Sequence, residues 1–462
     1  MHEILIIGTG YVGLVSGTCF AENGFKVCCL DVNQEKISRL KNGECPIFEP
    51  GLVEMLKRNI EAKRLSFTTE YKEAVKRASI CIIAVDTPIG LDGSCDLSRV
   101  KTVALELAKH MNEYKVIVNK STVPCGTGQL VKALIQESLE KQGKTCSFDV
   151  VSNPEFLKEG SAINDFMRPD RVIIGCESAR AESVMKDLYR PFMFSHDRMF
   201  FMDIASSELS KYAANTMLAM RISYMNWMAE LCEKTGANIH NVRKAIGSDK
   251  RIGYSFLWAG CGYGGSCLPK DVKALRATIQ NNQISTKLLD AIDEINQNAK
   301  ARVVEKITQY YSERGGIEGK TFAILGLSFK PDTDDCREAP SLSIIKSLLD
   351  ARAKIRAYDP IAIENAKIYL TGLEITWCSN VDECVESSHA IVLVTEWKEF
   401  RFFDFEKIQK NMQGNAFFDG RNQYDPIDVA KQGFDYISIG QNPAFSALEH
   451  DFIKPTVTVY EQ

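Results

Sequence analysis

Several features that would assign the chain to a special class are missing from its sequence. No apolar run approaches the roughly 20 residues that span a bilayer, and no basic leader precedes a cleavage site at the amino terminus. The 56 basic residues nearly balance the 60 acidic ones, without a long run of one sign. We therefore expect no secretory signal and neither a membrane nor nucleic acid as a partner.

Paired cysteines and clustered histidines are also missing. The fifteen cysteines form no CxxC motif, and the six histidines are isolated from one another. Disulfide frameworks and zinc sites need regular spacings, whereas scattered cysteines in a large chain are typical of reduced, buried thiols. We predict no metal site and a cytoplasmic location.

What the sequence does contain is an α/β pattern that occurs twice. Apolar runs alternating with amphipathic segments indicate a doubly wound parallel sheet, with strands at 4–7, 26–32, 79–85, 115–119, 149–152 and 171–175. Helical patterns cover 207–235 and 271–278, and strands return at 321–326, 354–358, 389–395 and 416–419. The predicted fold class is α/β, with two Rossmann-like doubly wound parallel-sheet domains joined by a central all-helical region. The alternative is that the two halves are alike only because α/β folds are common.

A glycine motif follows the first predicted strand, Gly8-Thr-Gly10-Tyr-Val-Gly13. Glycines at these positions allow a tight turn, close approach of a pyrophosphate, and close strand–helix packing. Asp31, at the end of the second strand, would accept hydrogen bonds from a ribose and repel a 2′-phosphate. The motif predicts NAD in preference to NADP, a preference that Lys36 would weaken. The alternative is a glycine turn that binds nothing.

One cysteine lies in a second glycine-rich segment, Gly262-Tyr-Gly-Gly-Ser-Cys267-Leu-Pro-Lys-Asp271. Pro269 suits the first turn of a helix, and a helix start next to Lys270 would lower the pKa of a thiol. Most of the cysteines are better interpreted as small buried hydrophobic residues, but the flanking glycines are expected to leave room for a substrate beside Cys267. In a dehydrogenase, such a thiolate predicts capture of an aldehyde as a thiohemiacetal, a second hydride transfer, and hydrolysis of the thioester to an acid.

Together these motifs resemble the UDP-glucose/GDP-mannose dehydrogenase family over nearly the whole chain. Eight segments carry the resemblance, at 8–13, 85–88, 120–124, 153–160, 211–215, 262–271, 326–330 with Arg337, and 418–421. The resemblance implies NAD-dependent four-electron oxidation of a nucleotide sugar at C6. Residues 169–175 resemble the UDP-glucose branch, so UDP-glucose is the implied substrate, with GDP-mannose and a UDP-N-acetylhexosamine as alternatives.

The resemblance also implies domains and an assembly. The predicted parts are 1–205, an NAD-binding domain; 206–300, a helical dimerisation and catalytic region; 301–440, a UDP-sugar-binding domain; and 441–462, a tail without an assigned function. A homodimer or higher homo-oligomer built on the central helices follows from the family, since an arginine matching Arg251 reaches the sugar site of the neighbouring subunit.

Roles for individual residues are implied in the same way. Cys267 is the nucleophile, Lys211 stabilises an oxyanion at C6, and Asn215 holds the reacting group, while Thr122, Glu155 and Asp271 position or activate water. The implied NAD contacts are Gly8, Gly10, Val12, Gly13, Asp31, Lys36, Thr87, Thr122, Glu159, Lys270 and Arg337. The implied substrate contacts are Glu155, Phe156, Leu157, Lys158, Lys211, Asn215, Arg251, Phe256, Leu257, Trp258, Ala259, Gly260, Gly264, Lys330 and Arg421.

Two other classes compete with this hypothesis. A one-step hydroxyacid dehydrogenase of similar helical design has no need for Cys267. A non-catalytic NAD-binding protein would keep the fold without activity, and the intact Lys211, Asn215, Cys267 and Asp271 argue against it.

Overall fold

The computed structural model describes residues 2–90, 93–193 and 196–446. The chain divides into two compact units, Met1–Thr216 with Lys270–Thr286, and Met217–Pro269 with Lys287–Gln462. The predicted boundaries at residues 205, 300 and 440 stay predictions. Of the predicted tail, residues 441–462, the part from residue 447 onward lies outside the described residues.

Strands and helices alternate through the first part of the chain. In order they are β1 (Glu3–Ile7), α1 (Tyr11–Glu22), β2 (Lys26–Leu30), α2 (Gln34–Lys41), α3 (Leu52–Glu61), β3 (Leu65–Thr68), α4 (Tyr71–Arg77), β4 (Ile80–Ile83), α5 (Ser98–His110), β5 (Lys115–Asn119), α6 (Thr127–Lys141), β6 (Phe148–Ser152), α7 (Ala162–Met167), β7 (Val172–Gly175), α8 (Ala179–Tyr189) with a 3-10 turn at Arg190–Phe192, and β8 (Met199–Met202).

Helices follow, and then a second alternation. These elements are α9 (Ile204–Thr235), α10 (Ile239–Gly247), α11 (Leu268–Asn281), α12 (Lys287–Tyr311), β9 (Thr321–Leu325), α13 (Pro340–Asp350), β10 (Lys354–Tyr358), α14 (Ile363–Tyr369), β11 (Ile375–Trp377), α15 (Val381–Val385), β12 (Ala390–Leu393), a 3-10 turn at Lys398–Arg401, α16 (Phe405–Asn411), β13 (Ala416–Asp419), α17 (Pro426–Lys431) and β14 (Asp435–Ser438).

The first six strands of the first sheet are arranged in the same order as the six strands of the second sheet. The first is β3-β2-β1-β4-β5-β6-β7-β8, and the second is β11-β10-β9-β12-β13-β14. Every pairing is parallel except that of β6 with β7, which meet through Ser152 and Gly175. The predicted pair of Rossmann-like domains is confirmed, with the correction that the first sheet is mixed beyond its sixth strand.

The central strands have apolar interiors because helices cover both sheet faces. In β1, Ile4 and Ile6 belong to one apolar cluster, while Leu5 and Ile7 belong to another on the opposite face. Burial on both faces explains why these strands read as continuous apolar runs.

The helical predictions are also confirmed, with longer helices than expected. α9 begins at Ile204, three residues before the predicted start at 207, and α11 spans Leu268–Asn281 instead of 271–278. Within the described ranges, no helix combines the length and apolarity that crossing a membrane requires. In the same ranges, no three His, Cys, Asp or Glu side chains lie close enough together to hold a metal ion.

Candidate active site

The predicted dinucleotide turn joins β1 to α1. Gly8 has a φ of +102°, which strongly favours glycine, and a Cβ on Gly13 would lie 1.9 Å from the Gly8 carbonyl oxygen. A Cβ on Gly10 would meet only the Asp86 carboxyl oxygen, at 3.4 Å. Val12 is half-buried against the apolar cluster beside the turn. The open space at the start of α1 therefore fits the close approach of a pyrophosphate, as NAD requires.

Asp31 directly follows β2. Its Oδ2 accepts hydrogen bonds from the Thr9 backbone N–H at 2.9 Å and the Thr9 hydroxyl at 2.7 Å, and lies 3.5 Å from the Lys36 ammonium. Its Oδ1 accepts from the Asn33 N–H at 3.1 Å. Burial alone would raise the pKa of Asp31, but these donors and Lys36 hold it below its ordinary value. The carboxylate is ionised and oriented, as a ribose acceptor must be, and Thr9 is a site residue that we did not predict.

Two further predicted cofactor residues meet beyond the ends of β4 and β5. The Thr87 hydroxyl donates to the Thr122 carbonyl oxygen at 2.8 Å. Nearby, the Ser121 hydroxyl donates to the Val85 carbonyl oxygen at 2.7 Å. The two loops are thus joined at the carboxyl edge of the sheet, where ligands of doubly wound folds bind.

Glu155 and Lys211 form a buried ion pair. The Lys211 Nζ lies 3.0 Å from Glu155 Oε1, and Glu155 Oε2 accepts from the Leu157 N–H at 2.6 Å. Burial would raise the pKa of Glu155, but Lys211, the Leu157 N–H and Lys120 together lower it. The structure therefore brings together the predicted oxyanion stabiliser and one of the predicted water-positioning residues.

A second buried ammonium, which we did not predict as a site residue, belongs to the same cluster. Lys120 donates to Asn153 Oδ1 at 3.2 Å and to the Tyr189 hydroxyl at 3.3 Å. Burial lowers the pKa of Lys120, Glu155 opposes that shift, Lys211 adds to it, and the result is about 8. The cluster therefore places two lysines beside one carboxylate, an arrangement that favours a developing oxyanion.

Asp271 joins two other predicted residues. Asn215 donates through Nδ2 to Asp271 Oδ2 at 2.6 Å, and the Lys270 ammonium lies 2.7 Å from Asp271 Oδ1. Asp271 is 1% exposed. The Asn215 amide and the carboxylate are therefore held in one orientation, with an ammonium as the counter-ion.

The predicted substrate loop that follows Glu155 carries an aromatic ring between two cations. Arg171 lies 3.9 Å from the Phe156 ring centroid, and Lys211 lies 5.2 Å from it. Leu157 packs against the core, and Lys158 pairs with an aspartate of α7 at 3.1 Å. Glu159 is close enough to Tyr11 to contribute to raising that phenol's pKa, after burial and Glu49. The stacked Arg171 orients Phe156.

In the second unit, Cys267 directly precedes α11. Pro269 lies in the first turn, as predicted. The cysteine is half-buried, and the Ser266 hydroxyl lies 3.6 Å from its Sγ. Asp271, the fourth residue after Cys267 in the sequence, belongs to the first turn of α11. A half-buried thiol at a helix start has the placement that a nucleophile needs.

The glycines before Cys267 are required by packing. A Cβ on Gly264 would lie 2.4 Å from the Glu338 carbonyl oxygen, and one on Gly265 would lie 2.8 Å from the Phe329 ring. The Gly265 N–H donates to the Arg337 carbonyl oxygen at 2.7 Å. Backbone and a phenyl ring thus occupy the positions where side chains would point at Gly264 and Gly265, and the expected room for a substrate beside Cys267 stays a prediction.

Arg421, a predicted substrate contact, holds backbone in this unit. Its guanidinium donates to the carbonyl oxygens of Val394 at 2.6 Å, Gly262 at 3.2 Å and Phe329 at 3.1 Å. Glu396 lies 3.2 Å away. Arg421 therefore ties the cysteine loop to the segment before Lys330, while its contact with substrate stays a prediction.

The predicted substrate loop 256–260 is also anchored. The Gly260 N–H donates to Asn226 Oδ1 at 2.8 Å. Trp258 is 52% exposed, with the Arg243 guanidinium 3.4 Å from its ring centroid. The hydrogen bond to Asn226 therefore holds the end of the loop, and Trp258 is partly exposed and stacked against Arg243.

Three predicted cations make local contacts. Arg251 is exposed and pairs with Asp249 at 2.6 Å, and Arg337 forms a bidentate pair with Asp335. The Lys330 ammonium lies 5.5 Å from the ring centroid of the preceding phenylalanine. Their contacts with ligands stay predictions.

Family models match three consecutive parts of the chain. They describe the NAD binding, central and UDP binding domains of the UDP-glucose/GDP-mannose dehydrogenase family and match residues 2–193, 205–298 and 323–426. The chain belongs to this family. Membership confirms the resemblance, the predicted class of NAD-dependent dehydrogenase, and NAD as the cofactor.

Individual members of the family match nearly the full length. A UDP-glucose 6-dehydrogenase of Pseudomonas aeruginosa is 45% identical over 95% of this chain and 97% of its own. The solved UDP-glucose dehydrogenase of Pyrobaculum islandicum has a TM-score of 0.86 at 33% identity, covering 96% of this chain and 98% of that one. A UDP-D-ManNAc dehydrogenase of Pyrococcus horikoshii has a TM-score of 0.83 at 26% identity, covering 95% and 99%.

Proposed function

We propose that the chain catalyses NAD-dependent four-electron oxidation of UDP-glucose at C6 to UDP-glucuronate. The observation that carries this proposal is the 45% identity, over nearly the whole length of both chains, to a protein named as a UDP-glucose 6-dehydrogenase. The overall reaction consumes UDP-glucose, two NAD and one water, and yields UDP-glucuronate, two NADH and three protons.

The chain's own residues supply the steps other than hydride acceptance, which is the chemistry that bound NAD provides. A first hydride passes to bound NAD as the C6 alcohol loses its hydroxyl proton and becomes the aldehyde. The Cys267 thiolate adds to the C6 aldehyde and forms a thiohemiacetal, whose oxyanion the Lys211 ammonium stabilises. A second hydride passes from the thiohemiacetal to a second NAD as its hydroxyl proton is lost, which leaves a thioester on Cys267. Water held by Thr122, Glu155 and Asp271 attacks it, the C–S bond breaks, and the acid leaves.

Cofactor and substrate contacts follow the same proposal. Gly10 and Asp31 hold the pyrophosphate and the adenosine ribose; the place of Gly10 before α1 and the hydrogen bonds of Asp31 to Thr9 support these roles. Glu155 to Lys158, the loop 256–260, Lys330 and Arg421 hold the nucleotide sugar. We assign NAD binding to residues 1–205, dimerisation and catalysis to 206–300, and UDP-sugar binding to 301–440.

The proposed assembly is a homodimer built on α9. Met217, Tyr224, Trp227 and Leu231 repeat at spacings of seven, three and four residues, so they share one helix face, and they are 52%, 46%, 54% and 48% exposed. An exposed apolar stripe of this kind favours a partner helix. We also propose a cytoplasmic location, which the fifteen free cysteines support.

A second candidate substrate is a UDP-N-acetylhexosamine. The TM-score of 0.83 to a UDP-D-ManNAc dehydrogenase supports this substrate as a candidate, since the two folds agree over nearly their whole length. GDP-mannose is the remaining alternative.

A NADH-release assay across UDP-glucose, UDP-N-acetylhexosamines and GDP-mannose tests class, substrate and stoichiometry together. We expect two NADH per UDP-glucose.

Cys267→Ala should lower kcat on the order of 10³-fold or more, because the covalent step is lost. Cys267→Ser should stall as an ester that hydrolyses slowly. Cys146→Ser, in the turn between α6 and β6, is the matched control. A stoichiometry of one, or full activity in Cys267→Ala, contradicts the mechanism.

A further inference from the structure

A buried carboxylate outside the eight motifs joins the dinucleotide turn to the loop that follows Glu155. Glu49 lies between α2 and α3 and is 4% exposed. Its Oε2 accepts from the Tyr11 hydroxyl and from the Gly160 N–H, the latter at 2.7 Å. Its Oε1 accepts from the Ala162 N–H at 2.7 Å. Three segments that are distant along the chain therefore meet at one carboxylate.

The partners of Glu49 lie beside both proposed ligand-binding segments. Tyr11 is the first residue of α1 and follows Gly10, where the backbone is open to a pyrophosphate. Gly160 ends the 153–160 segment and follows Glu159, a predicted NAD contact. The Gly160 N–H also lies 3.2 Å from the Tyr11 hydroxyl oxygen, which closes the network.

The donors and acceptors of the network match, because each Glu49 oxygen faces a hydroxyl or backbone N–H group. Burial raises the pKa of Tyr11, and the hydrogen bond to Glu49 raises it further. The phenol therefore remains a donor, and the carboxylate accepts from three directions. A carboxamide at position 49 would turn one accepting oxygen into a donor facing an N–H or O–H group, and a buried mismatch of this kind is costly.

We propose that Glu49 is a positioning residue that sets the 155–160 loop against the dinucleotide turn, so that NAD binding and nucleotide-sugar binding are energetically coupled. Glu49 itself touches neither reactant. Part of this rests on the proposed function, since the loop is taken to bind UDP-glucose. If the link holds, each ligand orders a segment that the other ligand uses, and each should change the affinity of the other by the same factor.

The test measures the Kd of NAD with and without saturating UDP-glucose, in the full-length protein. We expect Glu49→Gln to raise the Kd of NAD alone about tenfold, which is the usual effect of losing a hydrogen bond to a charged group, and to remove its dependence on UDP-glucose. Tyr11→Phe should raise it less, about threefold, because the carboxylate keeps its two backbone N–H donors and still joins the 160–162 segment to its own loop. Glu54→Gln, an exposed change in α3, should match the wild type.

The outcomes separate this proposal from the proposed function. An NAD Kd within about twofold of wild type in both Glu49→Gln and Tyr11→Phe overturns it, because a positioning bond of ordinary strength shifts Kd by more. Weaker NAD binding with an unchanged dependence on UDP-glucose also overturns it, as a local defect. If the wild type does not bind UDP-glucose, the proposed function fails, and the coupling is then tested by the same titrations with whichever nucleotide sugar of the panel the wild type does bind. Tyr11→Phe serves if Glu49→Gln does not fold.

Discussion

At the scale of the residue, two aspartates in equivalent positions differ in what surrounds them. Asp31 follows β2 with its side chain 15% exposed. Asp359 follows β10 and is 1% exposed, and its oxygens accept from the backbone N–H groups of Leu327, Ser328, Ile361 and Ala362 and from the Trp397 indole. Asp31 remains accessible to a ribose, whereas Asp359 is saturated by its own domain and is structural.

The two aspartates should therefore respond differently to the same substitution. We expect Asp359→Asn to lower the free energy of unfolding by about 3 kcal/mol, because several buried N–H groups lose a charged acceptor. Asp31→Asn should cost less than about 1 kcal/mol but lower the preference for NAD over NADP about tenfold or more. Urea denaturation and cofactor titrations measure the two effects. Equal losses of stability would show that Asp31 is also structural.

At the scale of the element, α1 uses its glycines for two different purposes. Gly13 packs the helix onto the turn, since an added Cβ would lie 1.9 Å from the Gly8 carbonyl oxygen. Gly10, which precedes the helix, has an ordinary φ of -70°, and its Cβ position would contact only the end of the Asp86 side chain, at 3.4 Å. The fold needs Gly13, and we predict that NAD binding needs Gly10.

A pair of alanine substitutions in α1 tests this division. Gly13→Ala should destabilise the protein by about 3 kcal/mol or more, because the rigid backbone cannot yield to overpacking. Gly10→Ala should leave the unfolding temperature close to that of wild type and weaken NAD binding at least about tenfold, since the methyl group occupies the space for the pyrophosphate. Thermal unfolding and NAD titration on both variants give the answer. Unchanged NAD affinity in Gly10→Ala would mean that the cofactor does not approach this backbone.

The strands that the sequence did not predict are also explained at this scale. β3, β8, β11 and β14 are the edges of the two sheets. β3, β8 and β11 contain exposed or half-buried residues, and β14 begins with Asp435. β3, β11 and β14 mix polar and apolar residues, so they do not stand out as apolar runs. β8 is an apolar run of four residues, which periodicity alone does not distinguish from part of a helix.

At the scale of the whole molecule, the exposed face of α9 carries the proposed dimer. Trp227→Glu should shift the protein to monomers, with a dimer Kd at least about 30-fold higher, because a central tryptophan often contributes 2 kcal/mol or more. Sedimentation velocity over a range of concentrations measures this. Ile368→Glu on α14, a residue that is 69% exposed, is the matched control. Turnover should fall with Trp227→Glu as well, since Arg251 is predicted to act in the neighbouring subunit. A dimer of wild-type strength would place the interface elsewhere.

The sequence by itself determined what depends on short stretches of chain. The glycine turn with Asp31, the helix start after Cys267, and the central strands of both sheets were predictable, because spacing and apolar runs encode local geometry. Only the tertiary structure decided which distant groups meet. Glu49 and Gly160 are 111 residues apart, Lys120 becomes a site residue through burial beside Glu155 and Lys211, and Asp359 differs from Asp31 only in its surroundings. Burial and long-range hydrogen bonds depend on how distant segments pack in the folded domain, so local sequence patterns do not predict them.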